Sequence, residues 1–312
     1  MPTHADTGDA GISSLKMPWD RLASLVSRAV IAAIAGLPLG LRRALARGIG
    51  LAAYALGIRR GVTLDNLGNA FPELSEKKRR KIARGAYINM AYAVMDGLSS
   101  KQLSDEDIAR ALVIEDWALV QSALDAGRGV LVASAHFGSW ELLGHVVTQL
   151  IARRGVKLLA VIRSLRGAIN AELIESRRRS GMGFVATRGT ILSSTRALRQ
   201  GEMVVMLIDQ VLPADRGVFV PFFGRPASTT PALTMAALRT GAPVFLFMSI
   251  REGDHLRMFV EGPFPVPNSG DRRRDIVEHT AALTQAIERY IRRYPEQWLW
   301  LHRRWKVQPP KS

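Results

Sequence analysis

The stretch Val130-Leu131-Val132-Ala133-Ser134-Ala135-His136-Phe137-Gly138-Ser139-Trp140-Glu141 decides how this chain folds. Six small or apolar residues following Gly129 read as a buried strand. Gly138 then permits a tight turn, and Ser139 is a good N-cap for a helix beginning at Trp140. A strand that runs through a glycine turn into a helix is the repeating unit of an α/β sheet covered on both faces.

Working outward, the same alternation continues to the C-terminus. Short apolar runs predict strands over 130–135, 157–162, 203–208, 218–221, 244–250 and 256–260, and helices are predicted over 140–153, 168–180, 191–200, 231–240 and 271–294. Upstream, the Asn, Gly and Pro content of 66–73 reads as a loop, Ser75 as the N-cap of a helix reaching about Gly97, and Ser104 as the start of a short helix. The expected fold is α/β, a mostly parallel mixed sheet flanked by helices, preceded by an N-terminal helical region. The expected organisation is a loose tail over 1–20, apolar and basic helices over 21–60, and one α/β domain over 61–306.

The chemistry concentrates at the turn. On one continuous helix His136 and Glu141 would stand about 140° apart, but the Gly138 break puts His136 at a strand end and Glu141 in the first helical turn. That arrangement can fold the carboxylate onto one ring N–H and leave the other nitrogen as a general base for a hydroxyl. Chance produces the same spacing in many chains. His145 lies on the opposite side of the helix and no His-Glu-x-x-His occurs, which argues against zinc. Nucleophile-elbow, phosphate-loop and dinucleotide-loop motifs are absent. Asp209, at a strand end, is suited to holding a substrate group or an arginine, or simply to forming a turn. Arg163 and Arg177 are placed to neutralise phosphate, with a solvated helix face as the alternative. Phe222-Phe223-Gly224 reads as a core-filling turn, and Trp298, Trp300 and Trp305 as either an interfacial belt or a closing core.

The 312 residues carry 43 Lys and Arg against 27 Asp and Glu, a net charge of +16, which favours an anionic partner. With no cysteine, disulfides, thiolate metal sites and a cysteine nucleophile are excluded. Residues 22–58 are apolar but cut by Arg28, Arg42, Arg43 and Arg47, and the uncharged run 29–41 has 13 residues where a spanning helix needs roughly 20. Two amphipathic helices broken near Gly36 and Pro38 fit better, either lying at a membrane interface or packed on the protein's own core. If Arg28 sat near an interface, a single short span would still fit. The charge alone also fits a nucleic-acid-binding protein, although no nucleic-acid motif is present, or a catalytically silent membrane scaffold.

The His136–Glu141 turn resembles the His-x4-acid motif of glycerolipid acyltransferases, in particular the lipid A late acyltransferases of Gram-negative bacteria. The resemblance extends over Asn66 to Glu73, Arg163…Asn170…Arg177, Leu207-Ile208-Asp209-Gln210, Val220-Pro221-Phe222-Phe223-Gly224 and Pro295 to Trp305. It implies an acyltransferase with His136 as base and Glu141 orienting it, where many relatives have Asp in place of Glu. Acyl carrier protein is the implied donor and a hydroxyl of a phosphorylated lipid A precursor the implied acceptor, with another lipid as the alternative. No cofactor, metal or nucleic acid is expected. The implied location is the cytoplasmic face of the inner membrane, peripheral or single-pass.

Overall fold

The computed structural model describes residues 36–99, 112–162, 168–187, 189–253 and 255–310, with positions 29, 33 and 34. The tail 1–20, the short helix expected from Ser104, and Arg163 lie outside the described residues. Three helices come first: α1 (Leu39–Ala55), α2 (Arg60–Ala70) and α3 (Glu76–Ser99). Pro38 caps α1, and the break expected near Gly36 and Pro38 is a turn. The loop expected from Asn66 begins only at Phe71. Asn66 to Ala70 are helical because the Asn66 amide donates to the carbonyls of Trp300 (2.7 Å) and His302 (2.6 Å), while Leu67 is buried beside it.

The sheet then builds in the order β1 (Leu112–Glu115), α4 (Trp117–Asp125), β2 (Val130–Ser134), α5 (Trp140–Ala152), β3 (Leu158–Ile162), α6 (Ala168–Arg179), β4 (Gly183–Ala186), α7 (Thr190–Arg199) and β5 (Met203–Leu207). A hairpin of β6 (Val218–Phe222) and β7 (Arg225–Thr229) follows. Then come α8 (Ala232–Thr240), β8 (Val244–Glu252), β9 (His255–Glu261) and α9 (Arg272–Arg293). Seven strands pair in the order β1-β9-β8-β2-β5-β3-β4, all neighbours parallel except β8 and β9. This is the mostly parallel mixed sheet expected, with β1, β4, β7, α2 and α4 in addition.

β2 is buried on both faces, as a central parallel strand must be. Leu131 and Ala133 enter a core shared with α3, α7, α8 and α9, whereas Val130 and Val132 enter one formed with α4 and α5. The chain leaves β2 through α5 on one face of the sheet. It leaves β5 toward β8 through α8 on the other. The carboxyl ends of β2 and β5 therefore flank a topological switch point, where open α/β sheets hold ligands.

The turn after β2 depends on Gly138. Its φ is +58°, and a Cβ there would lie 1.8 Å from the Ser249 carbonyl oxygen. Gly138→Ala is expected to cost about 2–3 kcal/mol, since a left-handed backbone and a backbone clash coincide. A fall in Tm of several degrees in thermal denaturation checks this; an unchanged Tm refutes it.

Candidate active site

The register of β2 on β5 builds the site. Ser134 pairs with Leu207, and the Ile208 N–H donates to the Ser134 carbonyl at 3.0 Å. Two residues past each strand end, His136 and Asp209 consequently stand side by side. The His136 ring is 2.8 Å, Nδ1 to Oδ1, from the Asp209 carboxylate, and its backbone N–H donates to Oδ2 at 2.9 Å. The Trp298 indole N–H donates to the same Oδ2 at 2.9 Å.

A carboxylate only accepts, so Nδ1 carries the proton and neutral His136 has its lone pair on Nε2. That nitrogen faces the Gln210 side-chain amide at 3.3 Å, and one-fifth of the His136 side chain is exposed. Burial by itself would lower the imidazole pKa. The charge and hydrogen bond of Asp209, with a further contribution from Glu141, outweigh burial and raise it above the ordinary 6.5. Burial would likewise raise the Asp209 pKa, but the His136 charge and the three hydrogen bonds bring it down to about 2.

Glu141 is turned away from the ring, which corrects the expectation that it orients His136. Its two oxygens accept a bidentate pair from Arg177, at 3.0 Å from Nε and 2.5 Å from Nη2, and Oε1 also accepts the Trp140 indole N–H at 3.0 Å. The physical reason is that Nδ1 already faces β5, while the first turn of α5 directs Glu141 toward α6. Arg177, expected to meet phosphate, thus has an internal carboxylate partner. Its side chain and that of Glu141 are 19% and 5% exposed. Ser139 occupies the N-cap position of α5, but its hydroxyl donates to Asp96 (2.7 Å) rather than capping the helix.

The C-terminal segment closes the site from behind. Gly138 N–H donates to the Gln297 carbonyl (2.9 Å) and Leu299 N–H to the His136 carbonyl (3.1 Å), so this segment pairs with the turn as an added strand would. Asn89 ties both sides together through the carbonyls of Gly138 and Gln297. Trp298, Trp300 and Trp305 are buried against Phe222 and Phe223, which decides for the closing core over an interfacial belt. Sequence reasoning missed Trp298 as the third donor to Asp209, and took Arg304 only as one of the basic residues interleaved with the closing tryptophans, whereas it is fully buried. Arg304 donates to the Ser228 carbonyl and the Thr229 hydroxyl while its guanidinium lies 5.2 Å over the Phe222 ring. His302, held neutral by burial with a pKa of about 4, accepts the Val211 N–H and fixes the backbone just past Gln210.

Next to the two strand ends, lined by Ser134, Trp140 and Leu207, lies an apolar cavity. Its floor follows β5 from Met203 to Leu207, about 13 Å at ~3.3 Å per residue, with Val132, Ala160 and Val147 as walls. Glu141, Arg177 and Trp140 line it too, and the Trp140 ring packs 5.5 Å edge-on from the imidazole. Among the described residues, no group of three His, Asp or Glu side chains is arranged to hold a metal ion.

An imidazole held by a buried carboxylate stands at the switch point of an α/β sheet, next to an apolar cavity, and an imidazole so held can serve as a general base. The family model for bacterial lipid A biosynthesis acyltransferases matches residues 13–307, and the chain belongs to that family. It is 26% identical over 259 residues to the lipid A biosynthesis palmitoleoyltransferase of Escherichia coli, covering 80% of each chain. It is 27% identical over 277 residues to the lauroyltransferase of the same organism, covering 84% of this chain and 85% of that one. A phosphatidylinositol mannoside acyltransferase of Mycolicibacterium smegmatis is 26% identical over 188 residues, 59% of each chain. The protein is an acyltransferase.

Proposed function

We propose that the protein moves a fatty acyl chain from an acyl carrier protein thioester to a hydroxyl of a phosphorylated lipid A precursor. The observation that carries this reading is the His136 ring, held through Nδ1 by Asp209 so that its lone pair is on Nε2, and packed on Trp140, which lines the apolar cavity. The acceptor hydroxyl takes the place of the Gln210 amide and gives its proton to Nε2 as its oxygen attacks the thioester carbonyl. Arg177, at this end of the cavity, is the cation assigned to the developing oxyanion. Collapse of the tetrahedral species breaks the C–S bond, and the proton on His136 passes to the leaving thiolate. Product ester and free thiol balance the reaction, with no acyl-enzyme. Asp209 holds the ring in the required tautomer and stabilises the imidazolium.

The testing experiment incubates the purified protein with acyl carrier protein thioesters of graded chain length and a lipid A precursor, with mass spectrometry of the products. Ala160→Leu, which adds bulk to the cavity wall, is expected to shift the preferred donor to a shorter chain. Unchanged chain-length preference would remove the cavity from the acyl site. The mannoside relative favours a second reading, in which the acceptor is another lipid; the same assay with lysophospholipid and glycolipid acceptors separates the two.

Membrane attachment is assigned to α1. Leu41, Leu45, Ile49 and Leu56 repeat at helical spacing and are 57%, 38%, 48% and 79% exposed, an apolar stripe beside Arg42 and Arg47. Among the described residues no helix is long and apolar enough to cross a membrane. The proposed location is the cytoplasmic face of the inner membrane, peripheral or single-pass, since most of residues 21–35 lie outside the described residues. Leu45→Asp with Ile49→Asp is expected to release much of the protein from anionic vesicles in a sedimentation assay. Full retention would relieve α1 of that role.

A further inference from the structure

Gln210 faces the working nitrogen of His136, and the chain on both sides fixes its place. The Ile208 N–H donates to the Ser134 carbonyl at 3.0 Å, the Asp209 carboxylate accepts three hydrogen bonds, and the Val211 N–H donates to Nε2 of His302 at 3.1 Å. His302 is itself anchored, since its carbonyl accepts the Asn66 amide at 2.6 Å. From this held backbone the exposed Gln210 brings its amide nitrogen to 3.3 Å from Nε2 of His136. Among the described residues that is the one hydrogen bond its side chain makes. Nδ1 keeps its proton for Asp209, so Nε2 offers a lone pair and Gln210 must approach it with its NH₂ rather than its carbonyl oxygen. With Asp209 across Nδ1 and the Trp140 ring 5.5 Å edge-on from the imidazole, Gln210 occupies the side from which a proton donor reaches the base. The distance is long for a hydrogen bond, which suits a group that leaves and returns in each turnover.

A general base beside a thioester is open to a side reaction with water. The water oxygen bonds to the carbonyl carbon, the C–S bond breaks, and the water proton passes through His136 to the leaving thiolate, so that acid and thiol form in place of ester and thiol. We propose that the Gln210 amide caps Nε2 of His136 and withholds the base from water until the acceptor displaces it. The consequence for turnover rests on the acyl-transfer reading, whereas the cap itself belongs to the resting enzyme. Water at Nε2 would exchange one hydrogen bond for another and has no further contacts to offer. An acceptor lipid brings contacts remote from the reacting hydroxyl, and their binding energy moves the side chain aside. The net worth of a neutral hydrogen bond corresponds to a preference of about three- to tenfold, which sets the size of the effect.

Two measurements on the full chain compare wild type with Gln210→Ala and with Gln210→Met, which keeps the length of the side chain without its amide. The first is the rate at which diethyl pyrocarbonate modifies His136, located by peptide mass spectrometry and taken on the high-pH plateau where the ring is neutral. It needs no turnover. Both variants are expected to be modified about three- to tenfold faster than wild type. The second is the ratio of acyl transfer to thioester hydrolysis, measured with an acyl carrier protein thioester in the presence of a lipid A precursor. That ratio is expected to fall by a similar factor in both variants, whereas a merely structural loss would lower the two rates together and leave it unchanged. Modification of His136 at the wild-type rate in either variant overturns the cap. An unchanged ratio of transfer to hydrolysis alongside faster modification overturns its role against water. If no protein, wild type included, consumes any thioester, the acyl-transfer reading fails, and the modification rates decide the cap by themselves.

Discussion

Replacing His136 by alanine is expected to lower kcat by about 10²–10⁴-fold, the usual contribution of a positioned general base. The fold should survive, because the backbone N–H and carbonyl of residue 136 keep their partners on Asp209 and Leu299. Deleting the ring leaves Asp209 Oδ1 without its donor while Oδ2 keeps two, so Tm should fall by an amount equivalent to about 1–3 kcal/mol. His136→Asn separates the two effects: its side-chain amide offers a donor near Asp209 but supplies no base. Both variants should therefore be inactive while differing in Tm. Steady-state rates with wild-type-like kcat in either variant would remove His136 from the chemistry.

The sheet was legible where strands are central. β2, β3, β5 and β8 are continuous apolar runs bounded by glycine or charge; β2 and β8 are buried along nearly their whole length, β5 at three of five positions, and β3 at Leu158 with the rest half-buried. The missed strands are short and lie at margins. β4 has four residues at the sheet edge, β1 four at the other edge, and β7, Arg225-Pro226-Ala227-Ser228-Thr229, has no apolar alternation and is held by its hairpin partner. Helix α2 looks like a loop in composition because the force that orders Asn66 comes from carbonyls 234 and 236 residues away.

The site divides in the same way. A strand ending in His136 and a turn needing Gly138 are local facts, and both are visible in a dozen residues. The partner of His136 is set by strand order, which one sequence does not display. β5 inserts between β2 and β3, and that insertion alone brings Asp209 to Nδ1. Spacing favoured Glu141 because it is close in sequence, yet closeness along the chain does not fix direction across a turn. With Arg177 reaching across from α6, the acid of the motif becomes a wall of the apolar cavity.

Asp209→Asn is accordingly expected to be the more informative of the two acid substitutions. The imidazole acts as a base only when neutral, so the rate rises with pH through the His136 pKa, and the raised value puts that acid limb above 6.5 in wild type. Removing the Asp209 charge leaves burial as the dominant influence, and burial favours the neutral ring. The acid limb must then move to lower pH. The plateau must fall as well, by about 10²–10⁴-fold, because an amide at position 209 can present its NH₂ to Nδ1 and so place the ring proton on Nε2, where the lone pair is needed. Glu141→Gln removes only a more distant charge, and it breaks the Arg177 pair. Its acid limb should move less, in the same direction, with the ring tautomer kept. The measurement is the pH dependence of kcat and kcat/KM for both variants against wild type. If Glu141→Gln moves the limb further than Asp209→Asn, the carboxylate that governs His136 in solution is Glu141, and the assignment of Asp209 as its partner fails.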